Sequence, residues 1–100
     1  MATTSKALAR TAAATSSTTL YTVPASTTTV VTDIVIANTA ASAATFTLTL
    51  DGVAIASGAA VPANDSVSLS LKQVLATTKI IAGLASATTV NFHISGVEIS

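Results

Sequence analysis

The chain has 100 residues, and its four Lys or Arg residues balance its four Asp or Glu residues, so the formal net charge is zero. Ala, Thr and Ser make up 52 of the residues, and the larger apolar side chains suffice for one small core in one domain. A single His and the lack of Cys exclude disulfides, thiol chemistry and metal sites with several Cys or His ligands. So few cations, scattered along the chain, argue against a nucleic-acid partner.

The first segment, residues 1–17, is rich in Ala, Thr and Ser and has only a weak helical signal around Leu8. We predict an extended N-terminal arm over 1–17 and a domain over 18–100, with residues 2–16 dispensable for folding. The arm is a frayed terminus or a segment that orders against a neighbouring subunit, with a short helix as the third alternative. No apolar stretch follows Lys6 and Arg10, so we expect an unprocessed chain made in the cytoplasm, without a signal peptide or a membrane span.

From residue 18 onward, apolar and polar residues alternate with a period of two, which is typical of half-buried strands. The clearest alternation is that of Phe46, Leu48 and Leu50 with threonines. No segment predicts a helix of about ten residues, so nothing supports the crossovers of a parallel sheet. Short strands are predicted over 20–23, 30–36, 45–50, 53–56, 66–71, 79–84, 90–95 and 97–99, with a short apolar segment around Val61 and with Val74 and Leu75 tucked under a connection.

Turn signals about every ten residues indicate an antiparallel arrangement of these strands. Asp51-Gly52 lies between two alternating segments and predicts a type I′ hairpin, because both central residues of that turn need positive φ. Gly96 predicts a bulge or bend in the last strand. We expect an all-β fold, an antiparallel β-sandwich of about seven or eight short strands, Ig-like or jelly-roll-like, in preference to a small barrel. The predicted core consists of Leu20, Ile34, Ile36, Phe46, Leu48, Leu50, Ile55, Val67, Leu69, Leu71, Ile80, Val90, Phe92 and Ile94.

The residues that could perform catalysis are few and scattered. His93 is the only imidazole base and is predicted on the outer face of the last strand, where neither a catalytic nor a metal-binding role is expected. Asp51 and Asp65 lie in turns, which leaves Asp33 and Glu98, on different strands, as candidates for paired carboxylates. The glycines do not have the spacing of a phosphate-binding loop. We therefore expect no enzymatic activity, no metal and no cofactor.

Thr45, Thr47 and Thr49 form a ladder on one face of their strand. An ice-binding array would need this ladder on adjacent strands, which offer Ser or Ala, so we interpret it as an outer face with high β-propensity. Such a face can be buried at a subunit contact without the desolvation cost of charged side chains. Tyr21 is the only candidate for an exposed aromatic platform, so a carbohydrate-binding module has weak support.

Five segments carry turns and strand ends in a specific order, namely 19–25 (TLYTVPA), 35–39 (VIANT), 47–53 (TLTLDGV), 62–65 (PAND) and 90–98 (VNFHISGVE). In this order they resemble small β-sandwich structural proteins of tailed bacteriophages. The resemblance covers about residues 18–100 and rests on structural motifs, not on catalytic ones.

The resemblance implies a virion structural protein, made in the host cytoplasm, and in particular a capsid decoration or cement protein that bridges neighbouring capsid subunits. It implies the major capsid protein or other virion proteins as partners and a homo-oligomer, with a trimer favoured. The charge and hydropathy of the chain, as given above, favour neither nucleic acid nor a membrane as a partner. A tail- or fibre-associated phage module is the alternative, and a carbohydrate-binding module is a more distant one. We expect Leu8 and Arg10 of the arm, and Thr47 and His93 on the strands, to contact these partners.

Overall fold

The computed structural model describes residues 3–100, which form eight β-strands. No helix occurs in this part of the chain, and the predicted all-β class is confirmed. The strands are β1 (Thr3–Ala12), β2 (Thr18–Thr22), β3 (Thr28–Asn38), β4 (Ala44–Leu50), β5 (Val53–Val61), β6 (Asp65–Leu75), β7 (Ile80–Ala85) and β8 (Val90–Ile99).

The strands form two four-stranded antiparallel sheets, which pack face to face as a β-sandwich. Sheet A has the order β1-β8-β3-β6, and sheet B has the order β2-β7-β4-β5. The two halves of the chain pair as nested strands, with β4 beside β5, β3 beside β6, β2 beside β7 and β1 beside β8. This order is that of an eight-stranded jelly roll, which decides between the two sandwich types that the sequence left open.

The tip of this nested arrangement is the turn at Asp51-Gly52. Leu50 pairs with Val53, which leaves these two residues as the loop. The φ angle is 54° at Asp51 and 74° at Gly52, so both have the positive sign that a type I′ turn requires. The predicted hairpin is therefore confirmed.

The core lies between the sheets, where the alternation placed it. Phe46 of sheet B and Phe92 of sheet A meet there edge to face, with ring centroids 6.4 Å apart. Ile55 and Val74, both expected to be covered, are 38% and 66% exposed because they lie on strands at the edge of a sheet. Of the other predicted core residues, Leu20, Val67, Leu69, Leu71 and Ile80 are half-buried, and Ile34, Ile36, Phe46, Leu48, Leu50, Val90, Phe92 and Ile94 are buried.

Residues 3–12 do not form the predicted arm, because they are strand β1 at the edge of sheet A. β1 pairs with β8 from Thr3 opposite Ile99 to Ala12 opposite Asn91. Such a strand is held by backbone hydrogen bonds, which any residue except proline can donate. Its apolar residues alternate poorly, so the sequence pattern did not predict it. Deleting residues 2–16 would remove this edge strand and the buried Leu8, so we now expect the deletion to destabilise the fold. The part of the predicted arm at residues 1–2 lies outside the described residues.

Gly96 lies in β8, between β1 and β3. Each of these two neighbours has a bulge, which is the feature that the sequence predicted at Gly96 itself. The register of β1 skips Leu8 and that of β3 skips Thr32, whereas β8 continues regularly. A Cβ atom at position 96 would lie 2.4 Å from the Val30 carbonyl oxygen and 2.9 Å from Leu8 Cδ1. The predicted bulge in the last strand is thus corrected to bulges in its two neighbours, and glycine is needed at this position for close packing.

A buried asparagine organises the connections at one end of the sandwich. The Asn38 amide nitrogen donates to the carbonyl oxygens of Ser42 at 2.8 Å and Pro62 at 3.3 Å. Its side-chain oxygen accepts from the backbone N–H of Ala40 at 3.1 Å and from the Thr89 hydroxyl at 3.2 Å. These bonds tie three connections to the end of β3, and they satisfy the polar atoms of a side chain that is only 2% exposed.

Candidate functional site

The two sheets differ sharply in charge. The strands of sheet A carry six charged residues, whereas the strands of sheet B carry none. The two remaining charges, Asp51 and Lys79, lie just outside strands of sheet B and pair with each other at 3.6 Å. The outer side of sheet B is therefore a neutral surface.

The outer side of sheet B is hereafter called the threonine face. Cross-strand partners point to the same side of a sheet, and the partners of the buried Phe46, Leu48 and Leu50 define the opposite, core-facing side. By this register the threonine face consists of Thr19, Thr22, Thr45, Thr47, Thr49, Ala54, Ala60, Ile80, Ala82 and Leu84.

Two hydroxyl groups of the threonine face, those of Thr47 and Thr49, have partners within the chain. The Thr47 hydroxyl accepts a hydrogen bond from the backbone N–H of Gly58 at 3.1 Å, and the Thr49 hydroxyl donates to the Ala82 carbonyl oxygen at 3.4 Å. Thr47 pairs with Leu84 on β7, so the threonine ladder of β4 does not continue onto that strand. At these two positions the face presents methyl groups beside hydroxyls that already have a partner within the chain.

Two of the expected contact residues, Arg10 and His93, lie side by side on the outer face of sheet A. They are cross-strand partners in β1 and β8, and His93 has Val35 of β3 as its other neighbour. Both Arg10 and His93 are exposed. They form a small patch that presents one guanidinium group and one imidazole ring. Thr47 belongs to the threonine face, on the opposite side of the molecule.

Leu8, the remaining expected contact residue, belongs to the core of its own chain. Its side chain is 8% exposed and reaches the position where a side chain of Gly96 would be. Leu8 is the extra residue of the β1 bulge, and the bulge turns it towards the core. In this fold its side chain is not available to a neighbouring subunit, which corrects that expectation.

A polar cluster of Lys6, Tyr21, Thr29 and Glu98 lies between the sheets at the end where β8 finishes. The Tyr21 hydroxyl donates to Glu98 Oε2, and it is 2.9 Å from the Thr29 hydroxyl. Lys6 Nζ is 3.4 Å from Glu98 Oε1. Because Tyr21 belongs to sheet B and the other three residues to sheet A, the cluster links the two sheets.

The cluster shifts the pKa values of two of its members in opposite directions. The hydrogen bond from Tyr21 and the charge of Lys6 stabilise the carboxylate and hold the pKa of Glu98 below its ordinary value. Burial, followed by the hydrogen bond to Glu98, raises the pKa of Tyr21. The sequence offered no signal for this cluster beyond the alternation that places Glu98 on the same side of β8 as Phe92.

The candidate carboxylates Asp33 and Glu98 do not meet. Asp33 pairs with Ser95 on the outer face of sheet A, whereas Glu98 lies in the polar cluster between the sheets. Within residues 3–100, no group of three or more His, Cys, Asp or Glu side chains could hold a metal ion. An open concavity of about 540 Å³ on the surface is lined by Thr32, Asp33, Ser70, Leu71 and Lys72.

No helix in the part of the chain that the structure describes has the length and apolar character needed to cross a membrane. No protein-family model matches the chain, and no curated protein matches it.

Proposed function

We propose that this chain is a structural protein of a virion, in particular a capsid decoration or cement protein that bridges and stabilises neighbouring capsid subunits. The observation that carries the proposal is the threonine face, an entire sheet surface formed by strands without a charged residue. Burying a charged side chain at a contact costs several kcal/mol unless it is paired, and this face avoids that cost. The resemblance to small β-sandwich proteins of tailed bacteriophages points to the same role.

The two outer faces suit a molecule that bridges neighbours. The threonine face, with Thr47, and the patch of Arg10 and His93 lie on opposite sides of the sandwich, so each can contact a different capsid subunit. Apolar surface contributes roughly 25 cal/mol per Å² when it is buried, so several hundred Å² at each contact strengthens a shell. Homo-oligomerisation, with a trimer as the form that the resemblance favours, would add avidity across many equivalent sites.

A tail- or fibre-associated phage module is the alternative location for the same surface. A carbohydrate-binding module is less well supported, because the aromatic residues are engaged within the chain. Phe46 and Phe92 are buried, and the hydroxyl of the half-buried Tyr21 is bonded to Glu98. An aromatic platform for a sugar ring needs an exposed ring face.

The number of copies of this chain in a purified particle, measured by quantitative mass spectrometry, tests the proposal. Hundreds of copies on the head support decoration, whereas a few to a few tens at the tail support the alternative. Absence of the chain from particles, or turnover of a small substrate by the free protein, contradicts both.

Two surface variants test which face makes the contact. Thr47→Lys places a charge on the threonine face, and we expect at least a tenfold loss of affinity for particles that lack the chain. The double variant Arg10→Ala/His93→Ala tests the opposite face. Ala25→Lys, in the exposed turn after β2, is the matched control and should bind as the unchanged protein does. Thermal unfolding of each variant checks that the fold persists, and equal binding by all three variants contradicts the proposed contacts.

A further inference from the structure

Three of the four edge strands carry features that discourage pairing with another chain. β1 has a bulge at Leu8 and an inward-pointing charge at Lys6. β2 is only five residues long and has a bulge at Leu20. β5 is interrupted twice, because its register with β4 skips Ile55 and the pair Ser57-Gly58. Bulges, short strands and inward charges are the devices by which natural sheets avoid edge-to-edge association.

The fourth edge strand, β6, carries such features only near its end, where its register with β3 is irregular at Leu71 and Lys72. It spans 11 residues at the edge of sheet A, and its pairing with β3 is regular from Asp65 to Ser70. Residues 66–71 read Ser-Val-Ser-Leu-Ser-Leu, without charge, proline or glycine. Alternate backbone N–H and C=O groups of such an edge point away from the sheet and are free to pair with another strand.

An apolar groove runs beside this edge. Leu69 and Leu71 point towards sheet B but are only half-buried, because the interrupted strand β5 does not cover them completely. The groove has a volume of about 340 Å³ and is lined by Ile55, Ser68, Leu69, Ser70, Leu71 and Gln73. A strand added beside β6 would place its own inward side chains over this groove.

We propose that β6 pairs antiparallel with β6 of a second copy of this chain, about a twofold axis at Leu69, to form a dimer with a continuous eight-stranded sheet. In this register Val67 of one copy lies opposite Leu71 of the second copy, and Ser68 lies opposite Ser70. Over residues 67–71 the inward side of the new pair is then apolar, and the outward side is serine. This self-complementarity selects a second copy as the occupant, since isologous twofold contacts are the commonest in soluble oligomers.

The charges at the two ends of β6 agree with the same pairing. Lys72 of one copy lies opposite Ser66 of the second copy on the outward side, and Asp65 lies opposite Gln73 on the inward side. No like charges face each other in this register, and like charges would otherwise oppose the pairing.

The inference goes beyond the proposed virion role and does not depend on it, because the dimer forms in free protein. It also differs from the trimer that the resemblance favours. The mass of the free protein therefore tests the inference, while particle occupancy tests the proposed function.

Sedimentation of the unchanged chain and of two matched variants is the first experiment. We expect a dimer for the unchanged chain and for Ala54→Lys, which adds a charge on the exposed edge strand β5. Ser68→Lys should raise the dissociation constant at least tenfold, because the two new ammonium groups lie on diagonal positions across the axis. Thermal unfolding checks that both variants are folded. A monomer or trimer for the unchanged chain, or a dimer unaffected by Ser68→Lys, overturns the inference.

Disulfide trapping fixes the register. The chain has no cysteine, so Leu69→Cys introduces the only thiol, and at the twofold axis it faces its own counterpart. Directly opposite strand residues lie within the Cα separation that a disulfide requires. Mild oxidation should convert most of the Leu69→Cys protein to a covalent dimer and leave the control Ser57→Cys, on β5, monomeric on a non-reducing gel. Equal cross-linking of the two variants contradicts the proposed axis.

Discussion

Sheet A and sheet B differ in strand length and in charge. The strands of sheet A have 10 or 11 residues each and carry six of the eight charges, whereas those of sheet B have five to nine residues and carry none. The long strands give sheet A most of the backbone pairing. Sheet A also supplies Asn38 and three of the four residues of the polar cluster. The difference shows that a small protein can place most of its charges on the strands of one sheet and leave the strands of the other without any.

The sheets are joined at three places with different chemistry. In the centre, Phe46 of sheet B meets Phe92 of sheet A. At one end the polar cluster joins Tyr21 to Glu98, and at the other end Asn38 holds the connections. The comparison therefore predicts that perturbing the shared centre affects both sheets, while perturbing one sheet alone has smaller and more local effects.

The largest effect is expected for Phe92→Ala, which removes the aromatic contact between the sheets. Phe92 is fully buried, and truncating such a side chain costs about 3–5 kcal/mol in the free energy of unfolding. Urea denaturation followed by circular dichroism measures this cost. The control Ile55→Ala, at a 38% exposed position on β5, should cost less than about 1 kcal/mol. Similar costs for the two variants would mean that the centre does not dominate the stability.

Replacing one glycine in each sheet distinguishes backbone packing from side-chain packing. In sheet A, Gly96→Ala brings the new methyl group to 2.4 Å from the carbonyl oxygen of Val30, which can move only with its strand. In sheet B, the nearest neighbour of a Cβ atom at Gly83 is the flexible Leu48 side chain, at 2.8 Å. We expect Gly96→Ala to lower the unfolding free energy by about 1–3 kcal/mol and Gly83→Ala to lower it less. An inverted order in chemical denaturation would contradict the packing at these positions.

The polar cluster should make the stability depend on pH. The pKa of Glu98 is lowered in the folded state, so its stabilising contribution is present above its ordinary value of 4.5 and is lost as the pH falls through the folded value. The pKa of Tyr21 is raised, so its contribution is present below 10.0 and is lost as the pH rises through the folded value.

Glu98→Gln tests the acid side of this dependence. Unfolding free energies measured between about pH 2 and pH 7 should decrease less steeply with acid for Glu98→Gln than for the unchanged chain, because the variant has no carboxylate to protonate. Asp33→Asn, which removes an exposed carboxylate outside the cluster, is the matched control. An unchanged acid limb in Glu98→Gln would mean that the cluster does not link the sheets energetically.

The smallest effect is expected at the ion pair beside the hairpin of sheet B. Lys79 and Asp51 are 3.6 Å apart, and both side chains are about half exposed, at 48% and 56%. Water screens such pairs, so Lys79→Ala should change the unfolding free energy by less than about 1 kcal/mol. Thermal melts at low and high salt would reveal a larger electrostatic role as a salt-dependent difference between the two proteins.

Local rules predicted the strand segments and their core-facing sides, and they failed where pairing is made by the backbone alone. The alternation of Phe46, Leu48 and Leu50 identified β4, and the positive φ preference of Asp-Gly identified the turn after it. By contrast, β1 has a single buried apolar side chain, Leu8, and is held by hydrogen bonds to β8. Those bonds do not depend on side-chain type, so the sequence carried no pattern from which to predict the strand.

The candidate surfaces were predictable in part for the same reason. Thr47 and His93 lie on the outer sides that the alternation assigned to them, and His93 is exposed. The proximity of His93 to Arg10 was not predictable, because it depends on the pairing of β1 with β8. The bulge that turns Leu8 inward depends on the shape of the neighbouring strand at Gly96.

The amino-acid sequence by itself determined the all-β class, the Asp51-Gly52 turn and the side of most strands that faces the core, because a strand displays its side-chain pattern to its immediate neighbours in sequence. The tertiary structure decided the partner of each strand, the place of β1 and the meeting of Tyr21 with Glu98, which are 77 residues apart. Alternation specifies which side of a sheet a residue occupies but not which strand lies beside it. That choice emerges only when the two halves of the chain pair and the paired strands fold over into two sheets.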